Sequence, residues 1–447
     1  MTLIMSVSGV RGIIGDGMTP MLPTELGAAF GSHLGGGTVV LGRDSRPSGG
    51  MIAGAMAAGL LSTGCNVVDL GIATTPGTAV MISEAGAVGG VVITASHNPI
   101  QWNGIKFLTS EGFAPPPETA ETIFARWRER QFRYADIERI GALRRESSAD
   151  ERHVARVLRV LDAAAIRKHR IKVVLDSVNG AGGTEGRMLL EQLGCTVVHI
   201  NGEPTGRFAH TPEPTAENLT GLCDDVRRSG AVVGFAQDPD ADRLAVVDNN
   251  GRYIGEEYTV ALCAMHMFRH HAGPAAVNLS TSRMIDDLAA KAGQKVFRTA
   301  VGEANVARAM AEHRCTIGGE GNGGVIDPRV IRVRDSLVGM GLVLSLLADQ
   351  ARPLSAIVDE MPRYAMIKEK FEMDRAATAP WLDRIRQLSG GGGAKINDSD
   401  GVRIDWPTGW VHVRPSNTEP IARVIAEAAD AAAARDLVRR VSELRPK

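Results

Sequence analysis

Residues 91–99 read VVITASHNP, an apolar and β-branched run that ends in a hydroxyl, an imidazole and an Asn-Pro stop. An apolar run of this length, closed by a turn signal, predicts a buried strand. Because ligands of open α/β sheets bind at the carboxyl ends of strands, Ser96 is predicted to lie at a ligand site. Taken alone, the stretch fits an ordinary turn with a Ser-His pair better, so the functional interpretation needs the loops further along the chain.

Length and composition restrict the class of protein. A chain of 447 residues exceeds one hydrophobic core and predicts three or four units of about 100–150 residues. A net charge of −1 with scattered basic residues argues against a nucleic-acid partner. The first residues lack the pattern of a secretory signal, and the longest apolar run, 337–348, is too short to span a membrane. Five cysteines form no close metal-type pairing, so we expect a cytoplasmic protein with no membrane partner.

A strand, a helix and a second strand follow one another three times, which predicts a threefold repeat of βαβ units. The predicted elements are a strand at 39–41, a helix to about residue 61 and a strand at 64–70; then 173–177, 187–193 and 194–198; then 276–280, 284–291 and 293–297.

Each copy is followed by a further strand and an unusual loop, at residues 94–99, 238–243 and 318–324. Equivalent loops share a geometry, so these three are expected to face one cleft if the copies pack around a common centre. The tail is different: it contains a strand and turn at 410–420 and a final helix at about 432–444, which predicts a smaller fourth domain. The predicted domains are 1–149, 150–251, 252–363 and 364–447, with boundaries in polar stretches.

The second loop carries three acids at alternate positions, Asp238, Asp240 and Asp242. In an extended segment their carboxylates point the same way and repel unless a cation neutralises them. A calcium loop of the EF-hand kind also begins with this spacing, but it needs Gly where Arg243 stands and Glu where Asn249 stands. A small set of oxygen ligands therefore favours Mg²⁺, and a solvated acidic turn is the remaining alternative.

The turn in the tail gathers hydrogen-bond donors typical of a phosphate site. Arg414 supplies a guanidinium, and Ser416, Asn417 and Thr418 supply two hydroxyls and an amide, with Arg423 following. A proline-bounded turn with ordinary side-chain capping is the alternative interpretation.

Three further residues are candidates on weaker grounds. Glu320 stands among glycines, a pattern suited to accepting hydrogen bonds from sugar hydroxyls, although a flexible turn has the same composition. Lys106 follows the Ser96 loop and would serve as an acid or base where neighbouring cations lower its pKa; otherwise it is a surface lysine. Arg11 is flanked by glycines in a predicted loop, suited to an anion, with a surface turn as the alternative.

Together, these motifs resemble the α-D-phosphohexomutase superfamily over the whole chain. Residues 94–99 are similar to its phosphoserine loop, 238–243 to its metal loop, 319–324 to its sugar loop and 414–420 to its phosphate loop, in the same order. The resemblance implies an α/β fold of three similar domains with mixed sheets and a smaller α+β C-terminal domain around one central cleft.

The resemblance also implies a reaction and a ligand set. A phosphate on Ser96 and the carboxylates of Asp238, Asp240 and Asp242 would hold Mg²⁺. Phosphorylated Ser96 would give its phosphoryl group to a hexose monophosphate, and the hexose 1,6-bisphosphate would turn end for end before Ser96 recovers a phosphate. The positions that would steady the transferring group or move protons are Arg11, His97, Lys106 and Arg243. The protein would be a monomer or a homodimer.

Two departures from the family pattern bear on the substrate. Asn322 stands where many members have Ser, and Glu303 stands where the phosphomannomutase/phosphoglucomutase type usually has His. An acid at that position resembles phosphoglucosamine mutases, because a carboxylate can pair with a 2-ammonium group. We therefore expect glucosamine 6-phosphate to be converted to glucosamine 1-phosphate. Alternatives are a phosphomannomutase/phosphoglucomutase and, more remotely, a metal-dependent phosphomonoesterase or a non-catalytic phosphosugar sensor.

Overall fold

The structure, a computed structural model, describes residues 3–6, 9–373, 375–389, 393–416 and 421–446. Its strands form four separate sheets that follow one another along the chain. In order, the sheets contain seven, four, four and five strands.

The first unit has a mixed sheet in the order β1-β2-β6-β5-β3-β4-β7. Its elements are β1 (Leu3–Ser6), β2 (Gly9–Ile13), α1 (Met21–Leu34), β3 (Gly37–Arg43), α2 (Gly49–Ser62), β4 (Cys65–Ile72), α3 (Thr75–Glu84), β5 (Gly89–Ile93), β6 (Trp102–Thr109), α4 (Pro117–Arg128) and β7 (Leu143–Arg145).

The second and third units have mixed four-stranded sheets. The second contains α5 (Ala149–Leu158), α6 (Ala163–Lys168), β8 (Lys172–Asp176), α7 (Gly183–Gln192), β9 (Thr196–Ile200), α8 (Thr220–Ser229), β10 (Val233–Gln237) and β11 (Leu244–Asp248). The third contains α9 (Glu257–His270), β12 (Ala275–Asn278), α10 (Met284–Lys291), β13 (Val296–Thr299), α11 (Glu303–His313), β14 (Ile317–Glu320), β15 (Gly324–Ile326), α12 (Ser336–Gln350) and α13 (Leu354–Asp359).

The fourth unit is built on a five-stranded antiparallel sheet in the order β16-β20-β19-β18-β17. Its elements are β16 (Ala365–Glu372), α14 (Arg375–Arg386), β17 (Lys395–Asn397), β18 (Val402–Trp406), β19 (Gly409–Pro415), β20 (Ile421–Ala428) and α15 (Ala431–Ser442).

Strand order confirms the threefold repeat predicted from the sequence. The orders β4-β3-β5-β6, β9-β8-β10-β11 and β13-β12-β14-β15 are the same arrangement, and the last strand of each set is antiparallel to its neighbour. The three unusual loops therefore occupy one equivalent position, between the third and fourth strands of each set.

The apolar runs form the core that fixes these loops. Val92 in β5, Val173 in β8 and Val277 in β12 belong to one buried cluster shared by the first three units, and the fourth unit has a cluster of its own. The apolar run at 337–348 is the buried helix α12. In the described ranges, no helix combines the length and apolar character needed to cross a bilayer.

The surroundings of Arg11 differ from the prediction. It lies in β2, opposite Gly104 of β6, rather than in a loop. The pairing depends on Gly9, whose φ is +119° and where a Cβ would meet the backbone oxygen of Ile105. The glycines around Arg11 suggested a turn. In the structure, Gly9 instead allows β2 and β6 to approach closely.

Candidate active site

Ser96 follows β5 and has φ +50°, a left-handed conformation that is uncommon outside glycine. Two contacts hold this backbone: Ser96 N donates to Oγ1 of Thr94 at 2.8 Å, and Nη2 of Arg46 donates to the Ser96 carbonyl at 2.7 Å. The Ser96 Oγ then donates to Oδ2 of Asp238 at 2.8 Å, with Nδ1 of His97 3.3 Å from the same hydroxyl. The first loop thus meets the second at its hydroxyl.

The three acids converge, as the alternate spacing predicted, but through a turn and not an extended segment. Ala241 has φ +56°, and its N–H donates to the Asp238 carbonyl at 2.9 Å. One carboxylate oxygen from each of Asp238, Asp240 and Asp242 lies within 4.8 Å of the others. The backbone N–H of Arg243 donates a hydrogen bond to Oδ1 of Asp238 at 3.1 Å, which closes the turn.

Burial makes the triad electrostatically unbalanced. Asp238 is fully buried, and burial together with Asp242 and Asp240 raises its pKa well above the ordinary range. Burial would also raise the pKa of Asp242, but Arg334 and Lys106 hold that pKa below its ordinary value. Within the described residues, Oδ1 of Asp240 and Oδ1 of Asp242 are buried without a hydrogen-bond partner. Unpartnered buried carboxylate oxygens at this spacing fit a divalent cation.

Lys106 enters the triad from β6. Its Nζ lies 2.6 Å from Asp240 and 3.4 Å from Asp242. Burial alone would lower its pKa, but these two carboxylates raise it above the ordinary value. We expected neighbouring cations to lower the pKa of Lys106. The side chain instead lies between two carboxylates, which keep it positively charged.

Two more cations border the same loops. Nη1 of Arg11 donates to Oδ1 of Asn98 at 2.9 Å. Burial lowers the pKa of Arg11, and the nearby carboxylates of Asp240 and Asp242 oppose that shift. Nε of Arg243 lies 3.9 Å from Oδ1 of Asp242. The predicted residues of the first two units therefore share one site.

The sequence patterns did not indicate Arg334, although its side chain contacts three acids of that site. Its Nη2 lies 2.6 Å from Asp242, its Nη1 lies 2.5 Å from Glu320, and its Nε lies 3.0 Å from Glu303. Arg334 immediately precedes Asp335, which caps α12. Asp335 is recognisable in the sequence as a helix cap. No local pattern, however, indicates that Arg334 contacts acids 14, 31 and 92 residues away.

Glu320 ends β14 and is already bonded by the protein. Oε1 accepts from Asn278 Nδ2 at 2.7 Å and from Gly302 N at 3.1 Å. Oε2 accepts from Arg334 and, at 3.5 Å, from Asn322. Burial would raise the pKa of Glu320, but Arg334 and Asn278 hold it below the ordinary value. Both carboxylate oxygens of Glu320 therefore accept hydrogen bonds from the protein, and its contact with sugar hydroxyls stays a prediction.

Glu303 begins α11 and keeps one oxygen available. Oε2 accepts from Arg334 N and Nε, both at 3.0 Å. No hydrogen bond to Oε1 is present in the described part of the chain. Burial raises the pKa of Glu303 above its ordinary value.

The fourth unit is tied to this site through Asp400. Oδ2 of Asp400 accepts from Val301 N at 3.0 Å and from Nε of Arg414 at 2.8 Å. Arg414 is buried, and its Nη2 has no hydrogen-bond partner among the residues that the structure describes. Ser416 follows β19 and Arg423 lies in β20, whereas the predicted residues Asn417 and Thr418 lie outside the described residues.

Comparison with known proteins agrees with this arrangement of four units. Domains I, II and III of phosphoglucomutase/phosphomannomutase, each described as alpha/beta/alpha, match residues 3–134, 151–251 and 256–364, and the C-terminal domain of that family matches 366–444. The chain belongs to the phosphoglucomutase/phosphomannomutase family. It is therefore a phosphohexomutase, an isomerase-class phosphotransferase.

Family members from archaea are similar over nearly their whole length. A phosphoglucomutase/phosphomannomutase of Thermococcus kodakarensis is 41% identical over 437 residues, 96% of this chain and 95% of the relative. A probable phosphoglucosamine mutase of Methanopyrus kandleri is 36% identical over 432 residues, with the same coverage.

A solved structure of the family shares the fold. The phosphoglucomutase/phosphomannomutase family protein of Burkholderia thailandensis has a TM-score of 0.86 and 26% identity, covering 99% of this chain and 98% of that one. The α/β fold of several domains predicted from the sequence is confirmed.

Proposed function

We propose that this phosphohexomutase interconverts the 6-phosphate and the 1-phosphate of a hexose through a phosphoryl group carried on Ser96, with a hexose 1,6-bisphosphate as intermediate. The observation that carries the proposal is the Ser96 hydroxyl, which lies 2.8 Å from Asp238 in a buried acid triad. Four cations border this triad: Lys106, Arg11, Arg243 and Arg334. A serine hydroxyl is a poor nucleophile by itself. Keeping a phosphoryl group on it makes Ser96 a donor and removes that difficulty.

Asp238, Asp240 and Asp242 are proposed to hold Mg²⁺ together with a phosphate on Ser96. The support is the convergence of three carboxylates and the two unpartnered buried oxygens. Hard oxygen ligands, few in number, are what Mg²⁺ binds together with phosphate oxygens. When bound, the ion neutralises charge on the transferring phosphoryl group.

The remaining groups are assigned from their charges. Lys106, Arg11 and Arg243 stabilise the negative charge on the phosphoryl oxygens, because phosphoryl transfer depends mainly on positioning and charge neutralisation. Burial, with Arg243 and Arg11 nearby, lowers the pKa of His97 well below its ordinary value. His97 is then a neutral imidazole next to the Ser96 oxygen. It takes the proton of the attacking sugar hydroxyl as the new O–P bond forms and the Ser96 O–P bond breaks, and it gives that proton to the released Ser96 oxygen, 3.3 Å from its Nδ1.

The phosphate that is not reacting is proposed to bind the turn of the fourth unit. Asp400 holds one nitrogen of Arg414, while the buried Nη2 has no partner among the described residues and would donate to an anion. Ser416 and Arg423, with Asn417 and Thr418 from the sequence pattern, supply the other donors. A cradle of simple donors accepts either phosphate of a bisphosphate that has turned end for end.

Glucosamine phosphate is the proposed substrate because Oε1 of Glu303 accepts no hydrogen bond from the described residues. Arg334 fixes the other oxygen of Glu303 and so orients the group. A 2-ammonium group would make a charge-assisted hydrogen bond to Oε1, which the 2-hydroxyl of glucose or mannose matches less well.

A side-by-side assay tests the substrate. The purified chain, with Mg²⁺ and a trace of hexose 1,6-bisphosphate, is given glucosamine, glucose or mannose 6-phosphate, and formation of the 1-phosphate is followed. The highest kcat/KM is expected for glucosamine 6-phosphate. Equal or higher values for glucose or mannose would favour the second candidate, a phosphomannomutase/phosphoglucomutase, which the 41% identical relative supports. Release of inorganic phosphate at the turnover rate would instead indicate a phosphomonoesterase, and binding without any product would indicate a sensor.

We also propose that the enzyme acts in the cytoplasm. All five cysteines are free thiols, as is usual in a reducing compartment.

A further inference from the structure

Two histidines and an aspartate form a second cluster of metal-type ligands at the end of the third unit. His266 and His270 stand one turn apart on α9, with ring centroids 4.6 Å apart, and Asp349 faces both from α12. Oδ2 of Asp349 lies 2.8 Å from Nδ1 of His266 and 2.7 Å from Nε2 of His270. The three ligand atoms lie within 4.8 Å of one another.

The contact between His266 and Asp349 is not a simple ion pair. Nδ1 of His266 is buried and is not aligned for a hydrogen bond with any of the described residues, although the Asp349 oxygen is near. Two imidazole nitrogens and a carboxylate oxygen that face one point are a donor set that first-row transition metals bind. Binding of a metal releases the protons that such ligands hold.

We propose that His266, His270 and Asp349 bind a first-row transition-metal ion, with Zn²⁺ as the ion that best fits two imidazoles and one carboxylate. Three protein ligands leave the fourth tetrahedral position to water. Ligand atoms of a tetrahedral zinc ion lie roughly 3.3 Å apart, so the side chains need to open by about half an ångström from their present contacts. Both α9 and α12 end here, and the carbonyl ends of helices favour cations.

The location suggests what the metal does. Helix α9 begins at Glu257, whose carboxylate accepts from Ser282 N at 2.9 Å in the third unit. Helix α12 begins at Ser336, two residues after Arg334, which contacts the triad. A metal at the far ends of these helices would fasten them to each other and stabilise the scaffold of the third unit without touching substrate.

Zinc binding to the full chain tests the proposal. Tag-free protein, saturated with Mg²⁺, is titrated with Zn²⁺ in a calorimeter, and the same titration is run on His266→Ala, His270→Ala and Asp349→Asn. The matched control is His271→Ala, because His271 is the next residue but faces Nη1 of Arg329 at 2.7 Å instead of the cluster. Asp240→Asn serves as a background in which the acid triad is impaired.

We expect one Zn²⁺ per chain, retained in His271→Ala and Asp240→Asn. Losing an outer-shell partner costs about 10–100-fold in metal affinity, so each ligand variant should bind at least about 10-fold more weakly. Cu²⁺ bound to the wild type should show hyperfine coupling to two nitrogens by electron paramagnetic resonance, reduced to one nitrogen in His266→Ala and in His270→Ala. His270 is half-exposed, and unchanged mutase activity of His270→Ala with Mg²⁺ would verify its fold. No zinc binding under saturating Mg²⁺, or equal affinity in the ligand variants and wild type, would overturn the proposal.

Discussion

Arg334 donates a hydrogen bond to Asp242 at 2.6 Å, and thereby links the sugar-loop unit to the acid triad of the second unit. The same guanidinium donates to Glu320 at 2.5 Å and to Glu303 at 3.0 Å. One side chain thus sets the positions of the proposed metal ligand Asp242 and of two further acids, Glu303 and Glu320. A movement of the third unit relative to the second therefore either breaks the hydrogen bond between Arg334 and Asp242 or moves Asp242 with it.

Replacing Arg334 with Met is expected to destabilise the protein by about 3–5 kcal/mol, because it leaves buried carboxylates without their cation. Mutase activity should fall with it. Arg332→Met is the matched control: Arg332 lies two residues earlier and is partly exposed, with an ion pair to Glu111, so about 0–1 kcal/mol is expected. Chemical denaturation of both variants gives the comparison. Similar losses for the two arginines would contradict the role given to Arg334.

Asp238→Asn and Asp242→Asn should have opposite effects on the metal-free chain. The charge of Asp238 is opposed by burial and by its acidic neighbours, which raises its pKa, so a neutral amide should leave the thermal midpoint equal or higher. Asp242 pairs with Arg334 and Lys106, so its loss should cost roughly 3 kcal/mol. Thermal unfolding in a chelator measures both. We expect interconversion to be lost in each variant, and equal destabilisation would be evidence against the charge imbalance described above.

Glu303→Gln should change the choice of sugar more than the overall rate. The variant loses a charge-assisted hydrogen bond of about 1.5–3 kcal/mol, so kcat/KM for glucosamine 6-phosphate should fall roughly 10–100-fold relative to glucose 6-phosphate. Glu312→Gln, on an exposed position near the end of the same helix, is the control and should leave the ratio unchanged. A uniform loss on all sugars would show that Glu303 acts only through Arg334.

His412 should make stability depend on pH in a defined window. Its Nε2–H donates to the Asp400 carbonyl at 2.6 Å, which leaves Nδ1 to accept from Ser280 Oγ at 3.0 Å. Burial lowers its pKa to about 4 in the folded chain, against about 6.5 when unfolded. Between these values the unfolded chain binds the extra proton, so the stabilisation is complete above pH 6.5 and is lost as pH falls toward 4. The slope is at most about 1.4 kcal/mol per pH unit.

The variant His412→Gln has no proton to gain in that window. Thermal midpoints measured from pH 7 to pH 4 should therefore fall less steeply than those of the wild type. Parallel curves would mean that His412 is protonated equally in both states.

Local sequence patterns predicted the repeat and the convergence of its loops, because strand and helix periodicity is a property of neighbouring residues. The order of strands then places the Ser96 loop, the acid loop and the Glu320 loop at equivalent positions. Contacts between units were not predictable in the same way. Arg334 has partners 14, 31 and 92 residues away, and the hydrogen bonds that Glu320 accepts from Asn278 and Gly302 also come from other segments. The conformation of the acid loop was also missed, since a left-handed Ala241 leaves no signal in the spacing of three aspartates.

Labelling with ³²P is the most direct test of whether Ser96 carries the phosphoryl group. The enzyme with Mg²⁺ is incubated with ³²P-labelled hexose 1,6-bisphosphate, quenched, digested and analysed by mass spectrometry, alongside Ser96→Ala. We predict up to one phosphate per chain, located on Ser96, discharged by added hexose 6-phosphate and absent from Ser96→Ala. A label on another residue, or a Ser96→Ala variant that still interconverts the sugar phosphates, would contradict this prediction.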